Sequence, residues 1–159
     1  MEDKALLSTE EASGAEKAEL LIVIPAYNEA ENIERVVNHL TANFPQYDYV
    51  VVNDGSRDET AAICQRNGYN LLNLPVNLGL AGAFQAGLKY ADKYGYQYAV
   101  QLDGDGQHRP EYLESMIKKM EEGYDIVIGS RFVGEKKPFT MRPAFLPPIS
   151  GTRWRKGFR

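Results

Sequence analysis

Short apolar runs alternate with stretches of helical periodicity over residues 20–129. The first run, Leu20–Pro25, is apolar at every position, as expected of a strand that is buried on both faces of a sheet. A helical period follows over Glu29–Asn43, with the apolar residues Ile33, Val36, Val37 and Leu40. The patterned part of the chain therefore begins with a buried strand and an amphipathic helix.

The same alternation predicts four more strands and three more helices. The predicted strands are Tyr47–Asn53, Tyr69–Leu74, Gln97–Leu102 and Tyr124–Gly129. The predicted helices are Asp58–Asn67, Gly79–Tyr94 and Pro110–Glu122. Strands that alternate with helices imply an α/β fold of the Rossmann-like kind, with a mostly parallel sheet and helices on both faces. Ligands of such folds bind beyond the carboxyl ends of the strands.

The two ends of the chain lack this pattern. Residues 1–18 are polar and charged, and we expect them to form a mobile leader. Residues 133–159 contain four prolines and no regular period, and we expect mostly irregular chain there, so that the folded domain covers residues 19–132. Charge also changes near this boundary: residues 1–130 hold 10 Lys/Arg against 21 Asp/Glu, and residues 131–159 hold 8 against 1.

The composition is that of an ordinary globular domain, with 43% hydrophobic and 25% charged residues. Cys64 is the only cysteine, which excludes an internal disulfide and a Cys/His zinc cluster and fits a cytoplasmic protein. We expect neither a secretory signal nor a membrane span, because no apolar run approaches the roughly 20 residues that a spanning helix needs. The acidic body argues against nucleic acid as a partner, since that binding requires clustered cations.

Polar residues follow three of the predicted strands. They occupy Pro25–Glu29, Asn53–Ser56 and Asp103–His108. Right-handed crossovers place these turns along one edge of the sheet, where they are expected to form one acidic cleft.

Asp103 and Asp105 flank a single glycine at the end of a predicted strand. Two carboxylates so close repel each other unless a cation lies near them. Carboxylate oxygens suit Mg2+ or Mn2+, whose coordination is completed by water and by the phosphates of a substrate. Taken alone, the same residues are equally explained as a turn that ends a strand.

The other polar residues of this edge also have ordinary explanations. Asp54–Ser56 is a good turn sequence, and Asp58 suits a helix N-terminus. Tyr27 is either a surface aromatic or a platform for a flat base. Glu29 is either a favourable first-turn charge or a ligand contact. Their convergence with the paired aspartates favours a ligand site.

Three further features are interpreted as structural. Asn77–Gly82 lacks the spacing of a dinucleotide fingerprint, and we expect it to open a packing helix; contact with a nucleotide is the alternative. His39 is expected to be exposed or satisfied rather than a ligand. His108 has no nucleophile near it in sequence and is not assigned as a catalytic base.

Four of these segments together resemble the family-two inverting glycosyltransferases, which have the GT-A fold. The segments are Ile22–Glu29, Val52–Ser56, Asp103–His108 and Ile128–Arg131. Within Asp103–His108, Asp-x-Asp is followed at once by x-Gln-His, and this is most similar to the branch that contains dolichyl-phosphate mannose synthases and bacterial polyprenyl-phosphate sugar transferases. The resemblance covers roughly residues 19–132.

The resemblance implies a role for each matching residue toward a UDP or GDP sugar. Pro25, Tyr27 and Glu29 would hold the base and ribose, Asp54 would bond the base, and the Val52 backbone would lie nearby. The metal ligands would be Asp103, Asp105 and Gln107, with Gly104 beside the diphosphate, and Asp103 and Asp105 would thereby serve catalysis. Arg131 would neutralise phosphate charge. The sugar would pass with inversion to a lipid phosphate or a saccharide, in cell wall or polysaccharide synthesis.

The family resemblance also implies an acceptor-binding region beyond Arg131, and the basic residues 133–159 do not match it. We therefore expect a truncated chain that binds donor and transfers sugar poorly or not at all. A homodimer is a further expectation, and for the full-length form we expect association with the inner face of the membrane. Two alternatives stay open. One is a nucleotidyltransferase, although its glycine-rich basic loop is absent here, and the other is a non-catalytic binding module.

Overall fold

The computed structural model describes residues 19–104, 110–129 and, for the backbone alone, 149–153. Within these ranges six strands form one sheet. The strands are β1 Leu20–Ala26, β2 Asp48–Asn53, β3 Leu71–Asn73, β4 Tyr98–Gln101, β5 Ile126–Gly129 and β6 Ile149–Arg153. The helices are α1 Ile33–Asn43, α2 Thr60–Arg66, α3 Gly79–Tyr94 and α4 Leu113–Glu121, the last preceded by a 3-10 turn over Pro110–Tyr112.

The strand order is β3-β2-β1-β4-β6-β5, and β1 to β4 are parallel to one another. In register, Ala26 of β1 lies opposite Asn53 of β2, while Val23 lies opposite Gln101 of β4. The carboxyl ends of β1, β2 and β4 therefore reach the same edge of the sheet. The predicted mostly parallel α/β fold is confirmed.

Strand β6 departs from the sequence-based expectation. The sequence predicts mostly irregular chain over 133–159, whereas residues 149–153 form a strand that pairs antiparallel with both β4 and β5. The hydropathy pattern misses it because Ile149–Arg153 has one large apolar residue and no alternation. Backbone pairing between two neighbouring strands, rather than side-chain pattern, defines this element.

Side chains of β1 point alternately to two cores. Every residue of β1 is buried, as its unbroken apolar run predicts. On one face Ile22 and Ile24 pack with α1, α2 and α4, through a set that includes Ile33, Leu40, Ile63, Leu113 and Met120. On the other face Leu21 and Val23 pack with α3, through Ala83 and Ala91. Helices thus cover both faces of the sheet, as predicted.

Helix α3 approaches the sheet very closely at Gly87. A Cβ added to Gly87 would lie 2.2 Å from Cγ1 of Val23. Gly87 lowers the helix propensity of this segment, but it has a packing role, because only a residue without a side chain leaves room for Val23.

Substitution of Gly87 by alanine tests this contact. We expect Gly87→Ala to lower the free energy of unfolding by about 1–3 kcal/mol through overpacking, despite the better helix propensity of alanine. Urea denaturation measures the change. Gln85→Ala, at an exposed position of the same helix, is the control and should stay within about 0.5 kcal/mol of the wild type. A Gly87→Ala protein as stable as the control would contradict the close packing.

Candidate functional site

The loop after β1 is attached to the loop after β2 by hydrogen bonds between backbone and side chains. The backbone N of Asn28 donates to Ser56 Oγ at 3.0 Å, and Asn28 Oδ1 accepts from the N of Arg57 at 2.9 Å. The backbone N of Glu29 donates to Thr60 Oγ1 at 2.9 Å. These bonds replace the intrahelical partners that the backbone groups lack, because α1 begins only at Ile33.

Asn28 makes this attachment possible through its backbone conformation. Its φ is 57°, and among the described residues it is the non-glycine with positive φ. Asparagine tolerates this left-handed region better than most side chains. The resulting turn places both the N–H and the side-chain amide of one residue against the second loop.

Asp58 adds a further bond between the same two loops. Its Oδ2 accepts from the N of Ala30 at 3.0 Å, and its Oδ1 accepts from the N of Thr60 at 3.0 Å and from the Thr60 hydroxyl. Burial raises the pKa of Asp58, but the hydrogen bonds from Thr60 and Ala30 together outweigh it, and the pKa is lowered from the ordinary value of 3.8. Asp58 thus serves the start of α2, as the sequence suggests, and also holds the loop after β1.

Asp54 lies at the carboxyl end of β2 and is 3% exposed. Its backbone N donates to the carbonyl of Ala26 at 2.9 Å, which continues the β1–β2 pairing by one residue. Its Oδ1 accepts from the N of Leu78 at 2.7 Å, at the start of α3. A carboxylate that is buried and bonded by a backbone amide is fixed in orientation.

The end of β4 lies against the loop after β1. Gln101 Nε2 donates to Asp103 Oδ1 at 2.7 Å. A Cβ added to Gly104 would lie 3.2 Å from the carbonyl oxygen of Pro25 and 3.5 Å from Cγ of Glu29. Because β2 and β4 flank β1, the ends that carry Asp54 and Asp103 are separated by two strand spacings, about 10 Å.

Most of the predicted site residues thus lie at one edge of the sheet. Pro25 and Val52 are buried in β1 and β2, Tyr27 is 42% exposed, and Glu29 is half-buried. Asp54, Asp103 and Gly104 follow them on the neighbouring strands. The predicted residues Asp105, Gln107 and Arg131, and also His108, lie outside the described residues.

Glu29 does not begin α1, contrary to the predicted helix bounds. Its carbonyl accepts from the N of Asn32 and the N of Ile33, and its side-chain Oε2 accepts from Asn32 Nδ2 at 3.0 Å. The pattern extends the helix too far because the polar residues before Ile33 are compatible with a first helical turn. The side chain of Glu29 is instead held over the loop by Asn32.

Sequence reasoning misses several residues that shape this edge. By sequence Ser56 and Thr60 are only turn and helix residues, Leu78 belongs to a segment expected to open a packing helix, and Gln101 has no role. The sequence signal for Ser56 and Thr60 is the run of hydroxyl and carboxyl side chains that contains them. The loop after β1 has no glycine, and its N–H groups need acceptors of this kind. No signal in the sequence identifies a backbone N–H such as that of Leu78. The expectation that His39 is exposed is confirmed.

Comparison with known proteins defines the class. The sequence profile described as Glycosyl transferase family 2 matches residues 21–159. A mannosyltransferase from Pyrobaculum calidifontis, solved in complex with GDP-Man and Mn2+, superposes with a TM-score of 0.65 at 17% identity and covers 87% of this chain and 45% of that chain. At this identity the likeness establishes the fold, which is the GT-A fold of glycosyltransferases.

Two curated relatives are similar in sequence. The polyprenol monophosphomannose synthase of Mycolicibacterium smegmatis is 34% identical over 71% of this chain and 45% of its own length. The undecaprenyl-phosphate mannosyltransferase of Micrococcus luteus is 34% identical over 72% of this chain and 49% of its own length. This chain belongs to glycosyl transferase family 2, which sets aside the nucleotidyltransferase alternative. It spans about half the length of the curated relatives that it matches.

Within the described ranges, no helix combines the length and the apolar character that crossing a bilayer requires.

Asp58 offers a test of the attachment between the two loops. We expect Asp58→Asn to lower the free energy of unfolding by about 1 kcal/mol near neutral pH, because the amide leaves the N–H of Ala30 without its acceptor. Since the folded pKa is lowered, ionised Asp58 stabilises the fold above its ordinary pKa, and this contribution disappears as the pH falls through the lowered value. Denaturation of both proteins near neutral pH and at about pH 3 should show the difference shrinking in acid.

Glu59→Gln is the matched control for Asp58→Asn. Glu59 is exposed, and its Oε2 lies 3.6 Å from Nη1 of Arg66. An ion pair that is exposed to solvent contributes little to stability. A loss of stability as large in Glu59→Gln as in Asp58→Asn would contradict the role of the inter-loop bond.

Proposed function

We propose that this chain forms the donor-binding part of a glycosyltransferase that takes a nucleoside-diphosphate sugar, with UDP or GDP as the nucleotide. The observation that carries the proposal is the meeting of three loops, after β1, β2 and β4, at one edge of a GT-A sheet. The β1 and β2 loops are joined by hydrogen bonds, and Gly104 lies against Pro25. One donor molecule would contact all three loops.

The nucleoside would lie over the ends of β1 and β2. Tyr27 presents an exposed ring, which suits contact with a flat base or the ribose. Asp54 is buried and has one carboxylate oxygen held by Leu78, so its remaining oxygen is a fixed acceptor for an N–H of the base. Pro25, Glu29 and the Val52 backbone would complete this part of the site. A ligand that brings the matching donor gains affinity without having to reorient the carboxylate.

The diphosphate would lie toward the end of β4. Asp103, Asp105 and Gln107 supply hard oxygen donors, which fit Mg2+ or Mn2+, and Gly104 allows close approach of the backbone. The orientation of Asp103 by Gln101 supports this assignment, as does the Mn2+ in the complex of the Pyrobaculum mannosyltransferase. The metal, when bound, would act as a Lewis acid on the departing diphosphate. Arg131 would add a guanidinium toward the phosphates.

Transfer would proceed by direct displacement at the anomeric carbon. An acceptor oxygen forms a bond to that carbon as the bond to the diphosphate oxygen breaks, and the nucleoside diphosphate leaves with the electron pair. Configuration is inverted because attack and departure occur on opposite faces. A polyprenyl phosphate is the proposed acceptor on the basis of the names of the two relatives, and its phosphate oxygen needs no general base because it is already ionised. The acceptor-binding region that the family resemblance implies lies beyond Arg131.

Metal-dependent nucleotide binding tests the site. Calorimetric titration with UDP and with GDP should reveal one nucleotide whose affinity rises about tenfold or more with Mn2+. Asp103→Asn should remove most of that increase, because it removes an anionic metal ligand. Glu121→Gln, an exposed acid on α4, is the control and should behave as the wild type. Nucleotide affinity that is the same with and without Mn2+ would contradict the proposal.

The acceptor is tested with the nucleotide sugar of the base that binds. Polyprenyl phosphate and a saccharide are offered separately, and the product is analysed by NMR for its anomeric configuration. We expect an inverted glycosyl phosphate from the lipid phosphate. A retained configuration, or transfer to the saccharide alone, would contradict this part of the proposal.

A further inference from the structure

A fourth loop, residues 74–78 between β3 and α3, packs directly on the loop after β2. Gly55 has a φ of +67°, and a Cβ added to it would lie 2.8 Å from the backbone N of Asn77 and 2.8 Å from the carbonyl carbon of Val76. No side chain fits between two backbones at this distance. Gly55 therefore serves the contact between the loops as well as its own turn.

The two ends of this contact are fixed separately. At the β3 side, Asn53 Nδ2 donates to Asn73 Oδ1, and the N of Leu74 donates to the carbonyl of Asn53 at 2.9 Å. At the α3 side, Asn77 Oδ1 accepts from the N of Gly79 at 3.1 Å, in the first turn of the helix. The path of residues 74–78 over Gly55 is thus set at both ends.

Asp54 receives the backbone N–H at the end of this loop. Leu78 is the N-cap residue of α3, and its side chain makes no capping hydrogen bond. The backbone N of Leu78 donates to Asp54 Oδ1 at 2.7 Å. Asp54, in the loop after β2, therefore pairs an N–H at the start of α3 that has no partner within the helix. The helix dipole favours a negative charge at this end of α3. In the described part of the chain the Oδ2 of Asp54 accepts no hydrogen bond and still reaches solvent, since no buried side-chain oxygen there lacks a partner.

We propose that the Leu78 N–H and the Gly55–Asn77 contact are a positioning device for nucleobase recognition. They hold Asp54 in one rotamer, occupy Oδ1, and leave Oδ2 as the acceptor for an N–H of the base. This inference rests on the proposed function, in which Asp54 bonds the base. It adds that Gly55 and Leu78, which touch no ligand themselves, determine base affinity through Asp54.

The rest of α3 supports the same device. Helix α3 is seated on the sheet through the contact of Gly87 with Val23, so its first turn has little freedom to follow Asp54 if the carboxylate moves. The position of Leu78 N is therefore set by the packing of the helix rather than by the loop alone. Asp54 is held in a place that the fold determines before ligand arrives.

Gly55→Ala is the direct test, and Gly68→Ala is its matched control. Gly68 has a φ of +66°, close to the +67° of Gly55, but a Cβ added to it meets no atom within 4 Å. Both variants therefore carry similar backbone strain, and only Gly55→Ala displaces the loop from Asp54. We expect Gly55→Ala to weaken binding of the preferred nucleotide, UDP or GDP, by about tenfold, with Gly68→Ala unchanged.

Binding of Mn2+-pyrophosphate, a ligand without a base, separates positioning from a general structural effect. Calorimetry should give the same pyrophosphate affinity for wild type, Gly55→Ala and Gly68→Ala. Equal losses of pyrophosphate and nucleotide affinity in Gly55→Ala would overturn the inference, because the variant would then have damaged the whole site.

A double-mutant cycle with Asp54→Asn tests whether the effect passes through Asp54. In the Asp54→Asn background, Gly55→Ala should cause no further loss of nucleotide affinity, and additive losses would overturn the inference. If Gly55→Ala does not fold, Asn77→Ala replaces it, since this change removes the bond to Gly79 without a clash and should weaken nucleotide binding but not pyrophosphate binding. Full nucleotide affinity in folded Asn77→Ala would likewise overturn the inference.

The outcomes distinguish this inference from the proposed function. If the wild type binds no nucleotide, or if Asp54→Asn binds it as well as the wild type, the proposed role of Asp54 fails. If Asp54→Asn weakens nucleotide binding but Gly55→Ala matches Gly68→Ala, only the positioning device fails.

Discussion

The loop after β1 keeps its shape because its backbone N–H groups bond to side chains of the next loop along the sheet. Asn28, Glu29 and Ala30 each donate to a hydroxyl or carboxylate oxygen from residues 56–60, at distances of 2.9–3.0 Å. Without these acceptors, the N–H groups between β1 and α1 would need water as their partner. The relative position of the two loops, and with it the geometry proposed for the nucleoside, depends on this set of bonds.

The sequence predicts those parts of the fold that depend on burial and periodicity. The run Leu20–Pro25 identifies the central strand because it is apolar on both faces, and the predicted bounds of α3 agree with the observed Gly79–Tyr94. Strand β6 is missed because its residues carry no hydropathy pattern and its place is decided by backbone pairing with distant strands. The pattern places Glu29 in a helix because the polar residues before Ile33 are compatible with a first helical turn.

For the candidate site, the sequence predicts which polar residues meet at one edge of the sheet, since the topology of a parallel sheet brings the strand ends together. What remains hidden in the sequence is which side chains hold others in place. Thr60 orients the loop after β1, and Gln101 orients the carboxylate of Asp103, through contacts that no spacing rule anticipates. Leu78 acts on Asp54 through its backbone N–H, which every residue except proline has.

Asp54 illustrates what such an arrangement means for the free protein. Its second oxygen keeps contact with water, because no buried side-chain oxygen of the described residues lacks a partner. A base that donates to this oxygen would displace that water and replace its hydrogen bond. A ligand without the donor would displace the water and leave the oxygen without a partner, so part of the selectivity for a nucleobase would originate in desolvation rather than in a steric barrier.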